Sequence, residues 1–396
     1  MKKQMLLCLI IIALIISAVW SDRAEPIPAF ARRYKISCNT CHQPFPRLKE
    51  YGDEFAGNGF VIPEEEKARD YISAGDDYLW LNRDFPLAMR FELFSMIDPE
   101  GDITNDIQAP WGVKLLSGGP LFKNVSYYLY MYLSERGEVA GLEDAYIHFD
   151  NIMGSGIDIM AGQFQTSDPL MKRELRLTFE DYQVYRSKIG LSETNLTYDR
   201  GVMLTYGIEK TGTDLVAMVV NGNGIPEADE NRFFDSDRYK NAGFRVIQGI
   251  GEYLSVGGFY YLGREKGGCS DSTDCRDNEI TYYGPDIGLT IDRFSLTGQY
   301  LIREDTNPGF IGSPGDRINT EGIVAELIFA PYYDRSRTYL TLLYNQVDSD
   351  LDAYDYETVS ISGTYLLARN LRLLGEYTRF VEEEEDRIVL GVISGF

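Results

Sequence analysis

Histidine is the scarcest chemically useful residue in this chain: there are two in 396 residues, His42 and His148. Two histidines leave little room for a Ser-His-Asp arrangement, and no phosphate-cradling or dinucleotide-binding glycine motif is present, so group-transfer chemistry has no support. Long apolar runs are also missing. After the first twenty residues none approaches the length a membrane-spanning helix needs, which excludes a helical membrane protein. Cations are few: 38 Lys and Arg stand against 61 Asp and Glu, for a net charge of −23. A nucleic-acid partner, which needs clustered Lys and Arg, is thereby excluded. The acidity permits cationic partners, and equally it can serve only to keep exposed loops in solution.

Aromatic residues and glycine are plentiful. The chain has 28 Tyr, 20 Phe and 38 Gly, yet only 44% of it is hydrophobic, and the mean hydropathy is −0.24. These figures suit a β-barrel whose strands carry apolar residues at every second position, with aromatic girdles and a polar interior.

Three regions differ in character. Residues 1–24 read as a signal peptide, with Lys2 and Lys3 ahead of the short apolar run Leu6–Val19; Cys8 would leave with it. Residues 25–84 carry Pro, Gly and charge without long alternation, and are expected to form helical turns. One of these is expected at Arg47–Phe55, with Leu48, Tyr51 and Phe55 on one face and Asn58-Gly59 as a stop. From residue 85 to 396, period-two segments of roughly ten residues recur about sixteen times, as in a transmembrane barrel. Counted back from Phe396, the connections alternate between short and long, and the longer ones are acidic. An even-stranded antiparallel barrel with both chain ends in the periplasm follows from that alternation. A soluble β-sandwich would leave it unexplained.

The motif with the most chemistry is Cys38-Asn39-Thr40-Cys41-His42. C-x-x-C-H is the attachment sequence of c-type haem: two thiols one helical turn apart bind the vinyl groups and the adjacent imidazole ligates the iron. A structural zinc site would need about four N or S ligands, which the sequence does not supply nearby. A thioredoxin-like site would need a βαβ context. One covalent haem c is therefore expected on Cys38, Cys41 and His42. No His or Met lies between Gln43 and Ala88, so a sixth ligand from the usual residues must come from the barrel. In Asp144–Asp150, alternation turns Asp144, Tyr146, His148 and Asp150 toward the lumen, making His148 a candidate distal ligand. A lumen methionine, an open five-coordinate iron, or a lumen-lining His148 with no metal are the alternatives. Cys269 and Cys275 fall on an expected external loop, where a disulfide is the natural reading. The long connection Gln165–Asp199 carries Lys172, Arg173, Arg176, Arg186 and Lys188. A connection of that length is expected to fold inward, lining the pore or facing the haem propionates, unless its charges are simply solvated.

Ala31–His42, followed by Pro46, Leu48, Tyr51-Gly52, Phe55 and Asn58-Gly59, resembles the fused monohaem cytochrome–porins of the bacterial outer membrane. About thirty residues carry that resemblance. Gly162-Gln163-Phe164 through Tyr198-Asp199-Arg200-Gly201 also resembles phosphate-selective porins of the O/P type. The first resemblance implies extracellular electron transfer, with Fe(II) oxidation as its best-known form, and it implies haem attachment at Cys38 and Cys41 with ligation by His42. The partners expected are outer-membrane lipid, a periplasmic electron carrier such as a soluble cytochrome, and an extracellular donor or acceptor such as Fe(II). The competing expectation is an anion or solute porin plugged or gated by a redox-sensing haem segment.

Overall fold

The computed structural model describes residues 29–62, 86–99, 105–139, 141–167, 170–267, 276–310 and 317–396. The expected signal peptide, the boundary near residue 84, and Cys269 and Cys275 lie outside the described residues. Sixteen segments become strands: β1 (Leu87–Ile97), β2 (Asn105–Phe122), β3 (Val125–Glu135), β4 (Leu142–Phe149), β5 (Ile157–Gln165), β6 (Tyr198–Ile208), β7 (Thr213–Val220) and β8 (Asn241–Ile250). The second half comprises β9 (Leu254–Glu265), β10 (Asn278–Ile291), β11 (Phe294–Asp305), β12 (Ile318–Phe329), β13 (Thr338–Ser349), β14 (Tyr356–Ala368), β15 (Leu371–Phe380) and β16 (Glu385–Gly395). Each pairs antiparallel with its sequence neighbours, and β1 pairs with β16 from Arg90↔Gly395 to Ile97↔Ile388, closing the barrel.

Alternation explains the two faces. Along β14, Thr358, Ser360, Ser362 and Thr364 are buried, whereas the outward Ile361 is 46% exposed. Phe244, Val246, Tyr260, Leu262, Leu340, Leu342 and Leu390 are exposed in the same outward way. A band of this kind is costly in water and matches the lipid-facing surface of a membrane barrel. Tight turns join the strands at one rim: Lys123-Asn124, Asp292-Arg293 and Arg369-Asn370 are two residues each. Asn124 and Asp292 take positive φ there, a conformation Asn and Asp accept more readily than most residues. Both ends of the barrel chain meet at this turn rim, where Phe396 and Met89 exchange backbone hydrogen bonds. The longer connections gather at the other rim.

The expected count of about sixteen strands is met, and β2, at 18 residues, is much longer than the roughly ten expected of each segment. Irregular pairing interrupts its alternation near both ends: Ala109-Pro110-Trp111 stand opposite the single Leu93 of β1, and Leu121 is an extra residue against β3.

Residues 29–62 form three short helices, α1 (Ala29–Tyr34), α2 (Cys38–Cys41) and α3 (Glu50–Gly57), seated in the turn-side mouth as a plug. The expected helix over Arg47–Phe55 is corrected: it starts at Glu50, because Lys49 is extended, and Tyr51 is 40% exposed while Gly52 and Phe55 are buried. The expected stop holds. Gly59 has φ +68°, and Phe60 N–H returns to the Phe55 carbonyl at 2.9 Å, a Schellman-type end. Phe60 stacks on Tyr128 of β3 (5.1 Å), and Arg47 reaches the lumen-facing Glu326 of β12.

Candidate functional site

The C-x-x-C-H motif folds as a single helical turn, so Cys38 and Cys41 share a face and His42 follows directly, its N–H bonded to the Cys38 carbonyl at 2.9 Å. A reverse turn then brings the chain back, with Gln43 N–H on the Arg47 carbonyl and Lys49 N–H on the Cys41 carbonyl, both at 3.0 Å. Next, α3 packs against α2 so closely that a Cβ on Gly52 would stand 2.4 Å from the Cys41 carbonyl oxygen. Only glycine permits that approach.

The three motif side chains line one cavity between the plug and the barrel wall, with about 1170 Å³ of atom-free space partly continuous with solvent. Its walls are largely apolar: Phe30, Phe45, Leu48, Phe55 and Phe60 from the plug, Leu116 and Tyr128 from the barrel. Arg90 and Tyr130, together with Glu174 and Leu175 of the long connection, complete the lining.

His42 is arranged as an iron ligand would be. Its Nδ1 lies 2.8 Å from the Pro46 carbonyl oxygen and 3.3 Å from that of Arg47. A carbonyl can only accept, so Nδ1 carries the proton and Nε2 keeps its lone pair. Fixing the outer ring nitrogen in this way orients a metal-binding imidazole. Burial is the main reason its pKa falls to about 4, against the opposing pull of the same two carbonyls, so the ring is neutral at physiological pH. Burial also pushes both thiols up, which sets Cys38 and Cys41 apart from low-pKa redox cysteines. Thiol spacing, imidazole tautomer and apolar lining together fit a covalently attached haem.

His148 does not join this group. Alternation turns it inward and leaves it 6% exposed, as expected, but it is absent from the cavity lining. Its Nδ1 instead lies beside Gly59, 3.4 Å from where a Cβ would stand. Met89 contributes to the lining, at a strand position whose alternation faces it away from the lumen. His148→Ala is therefore expected to leave the absorption spectrum of the haem-loaded protein unchanged. Conversion of a low-spin to a high-spin spectrum would restore His148 as the distal ligand.

The long connection, described over residues 166–167 and 170–197, folds inward as expected and crosses the lumen. Glu376 of β15 receives the N–H groups of Phe179 and Glu180 at 2.6 and 2.8 Å. Tyr182 donates to Glu326 of β12, Tyr185 to Gln299 of β11, and the side chain of Asn345 in β13 donates to the Asp181 carbonyl. Toward β2 and β3, the Glu174 carboxylate takes Lys114 at 3.0 Å and the hydroxyls of Tyr130 and Tyr132 at 2.8 and 2.6 Å. Leu177 and Ile189 are fully buried, and the lumen-facing Thr358, Ser360 and Thr378 are 0% exposed. The basic cluster does not line an open pore. Arg173, Arg176 and Arg186 converge on Asp181 at 2.6, 3.8 and 3.4 Å, and Lys188 pairs with Glu193. Burial raises the Asp181 carboxyl, but Arg176 and Arg173 outweigh it and hold the group well below the usual carboxylate range. Lys172 lines a smaller polar cavity shared with Arg47 and Asp53.

Sequence reasoning overlooked Phe45, Arg90 and Glu174 in this site. No local pattern marks them, since each matters through a contact distant in sequence.

Among proteins of known structure, the fold is that of outer-membrane porins. The loop-deleted OmpT of Vibrio cholerae matches with TM-score 0.56 and 13% identity, over 79% of this chain and 99% of its own. An anion-selective porin from Comamonas acidovorans gives 0.57 and 9% over the same shares. The outer-membrane channel DcaP of Acinetobacter baumannii gives 0.55 and 14%, over 79% and 97%. No protein-family model and no curated protein matches the chain.

Proposed function

We propose that this chain is an outer-membrane electron-transfer protein in which one haem c, attached to Cys38 and Cys41 and ligated by His42, is held between an N-terminal plug and the wall of a porin-like barrel. The observation that carries this reading is the single cavity lined by all three motif residues, with the Pro46 carbonyl fixing the His42 tautomer. Bound there, the haem would supply one-electron redox chemistry. The chain's own residues do the rest: two thiols attach, the Pro46 and Arg47 carbonyls orient the imidazole, and Phe30, Phe45, Phe55, Phe60 and Tyr128 offer apolar surface to the ring.

In this reading the outward apolar band meets outer-membrane lipid, both chain ends lie in the periplasm, and the plug faces a soluble periplasmic carrier such as a cytochrome. The acidic loop rim faces the exterior, where Fe(II) is the proposed donor. A lumen packed with residues 166–197 argues against an open solute porin. Stopped-flow mixing of the oxidised protein with Fe(II) tests the function. The expected result is reduction on the timescale of turnover; a protein that is inert to Fe(II) but conducts solutes would favour a plugged porin.

The acidic loops give a second expectation. Reduction by Fe(II) slows as ionic strength rises, because attraction is screened beyond a Debye length of about 10 Å at 0.1 M. Replacing Asp271, Asp274 and Asp277 with Asn mimics high salt. Rates indifferent to both changes would reduce these acids to solubilising surface.

A further inference from the structure

Charge is unevenly placed on this molecule. The loop rim is strongly acidic: the connections over 348–355 and 382–386 carry nine Asp and Glu and no Lys or Arg. The turn-side mouth has the opposite bias. Residues 29–62 of the plug carry five Lys and Arg against three Asp and Glu, in a chain whose net charge is −23. Arg32, Arg33 and Lys35 are exposed there, and so is Arg335 on the β12–β13 turn. The acids on the two turns of that sector are engaged, Asp334 by Lys49 at 3.0 Å and Asp292 by the Tyr333 hydroxyl. Asp150, Glu209 and Glu252 stand on turns farther round the wall.

These cations frame the motif. The turn α2 comes to the surface at this mouth, where Cys38 and Cys41 are only half-buried. Arg369, on the β14–β15 turn, is close enough for its charge to act on Cys38, as Lys49 acts on Cys41. Arg369 also donates to the Asp334 carbonyl at 3.4 Å, which joins its turn to the Lys49–Asp334 pair. Phospholipid headgroups would account for cations on the outer perimeter of the barrel. They do not account for Arg32, Arg33, Lys35 and Lys49, which the plug carries within the ring of strands. Complementary charge steers two proteins together and fixes their register. We infer that the turn-side mouth is the docking surface for the soluble electron carrier, and that the carrier presents an acidic face to it; this rests on the haem reading above. A carrier docked here lies against the turn that bears both thiols. The same acidic face is repelled by the loop rim, so charge keeps the carrier and a cationic donor at opposite ends of the barrel.

The test uses two probes with one redox centre and opposite surface charge: a basic soluble cytochrome c, and the same cytochrome with its lysines succinylated. Binding to the full-length protein in phosphatidylcholine nanodiscs is followed by biolayer interferometry. The succinylated probe should bind, with an association rate that falls about tenfold or more between roughly 0.02 and 0.5 M salt. Lys35→Glu/Arg335→Glu should lower that rate about tenfold and leave dissociation nearly unchanged, as expected for charges at the rim of an interface. Arg335→Glu alone should give a smaller loss of the same kind, and it decides the matter if the plug variant does not fold. Glu382→Lys/Glu383→Lys on the loop rim should leave the succinylated probe within about twofold of wild type while weakening the basic one. Binding of the succinylated probe that ignores both salt and the mouth variants would overturn the inference. So would mouth variants that bind it normally but lose co-purifying phosphatidylglycerol, which would assign the cations to lipid. The binding readout needs no haem in this chain, so absence of covalent haem from the wild type would overturn the reading beneath the inference and could not be mistaken for loss of the surface.

Discussion

Deleting residues 29–62 leaves the barrel closed to ions, whereas deleting them and also replacing residues 170–196 with a short flexible linker opens it by an order of magnitude or more in planar-bilayer conductance. The reason is that two separate masses obstruct the lumen. The plug occupies only the turn-side mouth, through contacts such as Arg47 with Glu326 and Phe60 with Tyr128. The inward connection crosses the interior and is fastened to β2, β3, β11, β12, β13 and β15. A sixteen-strand barrel without such a filling has an aqueous channel. A milder variant acts on the same element: Asp181→Asn removes the carboxylate on which Arg173, Arg176 and Arg186 converge. Breaking a buried ion pair from one side costs about 3–5 kcal/mol, so the connection should loosen and the leak current rise. A wild-type protein that already conducts like an open porin, or a plug deletion that opens the barrel by itself, would contradict this assignment.

The double substitution Cys38→Ala/Cys41→Ala abolishes haem that survives denaturation, and each single substitution lowers it sharply. Both thiols sit on one turn of α2 and line one cavity, so each is placed to form its own thioether. Without them, the ligand bond from His42 and apolar contact would remain, and neither survives unfolding. The barrel itself should persist, because no ladder hydrogen bond involves α2. Heat-modifiable mobility on a denaturing gel checks that point in the same samples. His42→Ala should behave differently: it should retain covalent haem with an altered spectrum, separating attachment from ligation.

How much of this was legible in the sequence depends on the range of each interaction. The strands were, because period two is set locally and repeated sixteen times; β2 outruns the expected ten residues because irregular pairing at Ala109-Pro110-Trp111 and at Leu121 breaks its alternation. The motif was, because attachment chemistry demands three residues within five positions. The inward fold of residues 166–197 followed from length, but its role did not: five cations suggested a pore lining, and only the fold shows three of them turned onto Asp181. His148 illustrates the opposite limit. Alternation gave its direction correctly, yet facing the lumen is not the same as reaching the cavity, and the turn at Gly59 stands against it. Arg90, Glu174 and Phe45 were invisible because their importance arises where β1, the long connection and the plug converge.

The central claim is that one haem is covalently bound through Cys38 and Cys41 in the pocket between plug and barrel. It is tested most directly by intact-mass measurement of the denatured wild-type protein, produced in a host with cytochrome c maturation, together with its pyridine haemochrome spectrum. The account predicts the mass of the chain plus one haem, retained in denaturant, with the absorption of a porphyrin bearing two thioether bonds. A chain without that added mass, or haem that extracts into acidified organic solvent, would contradict it.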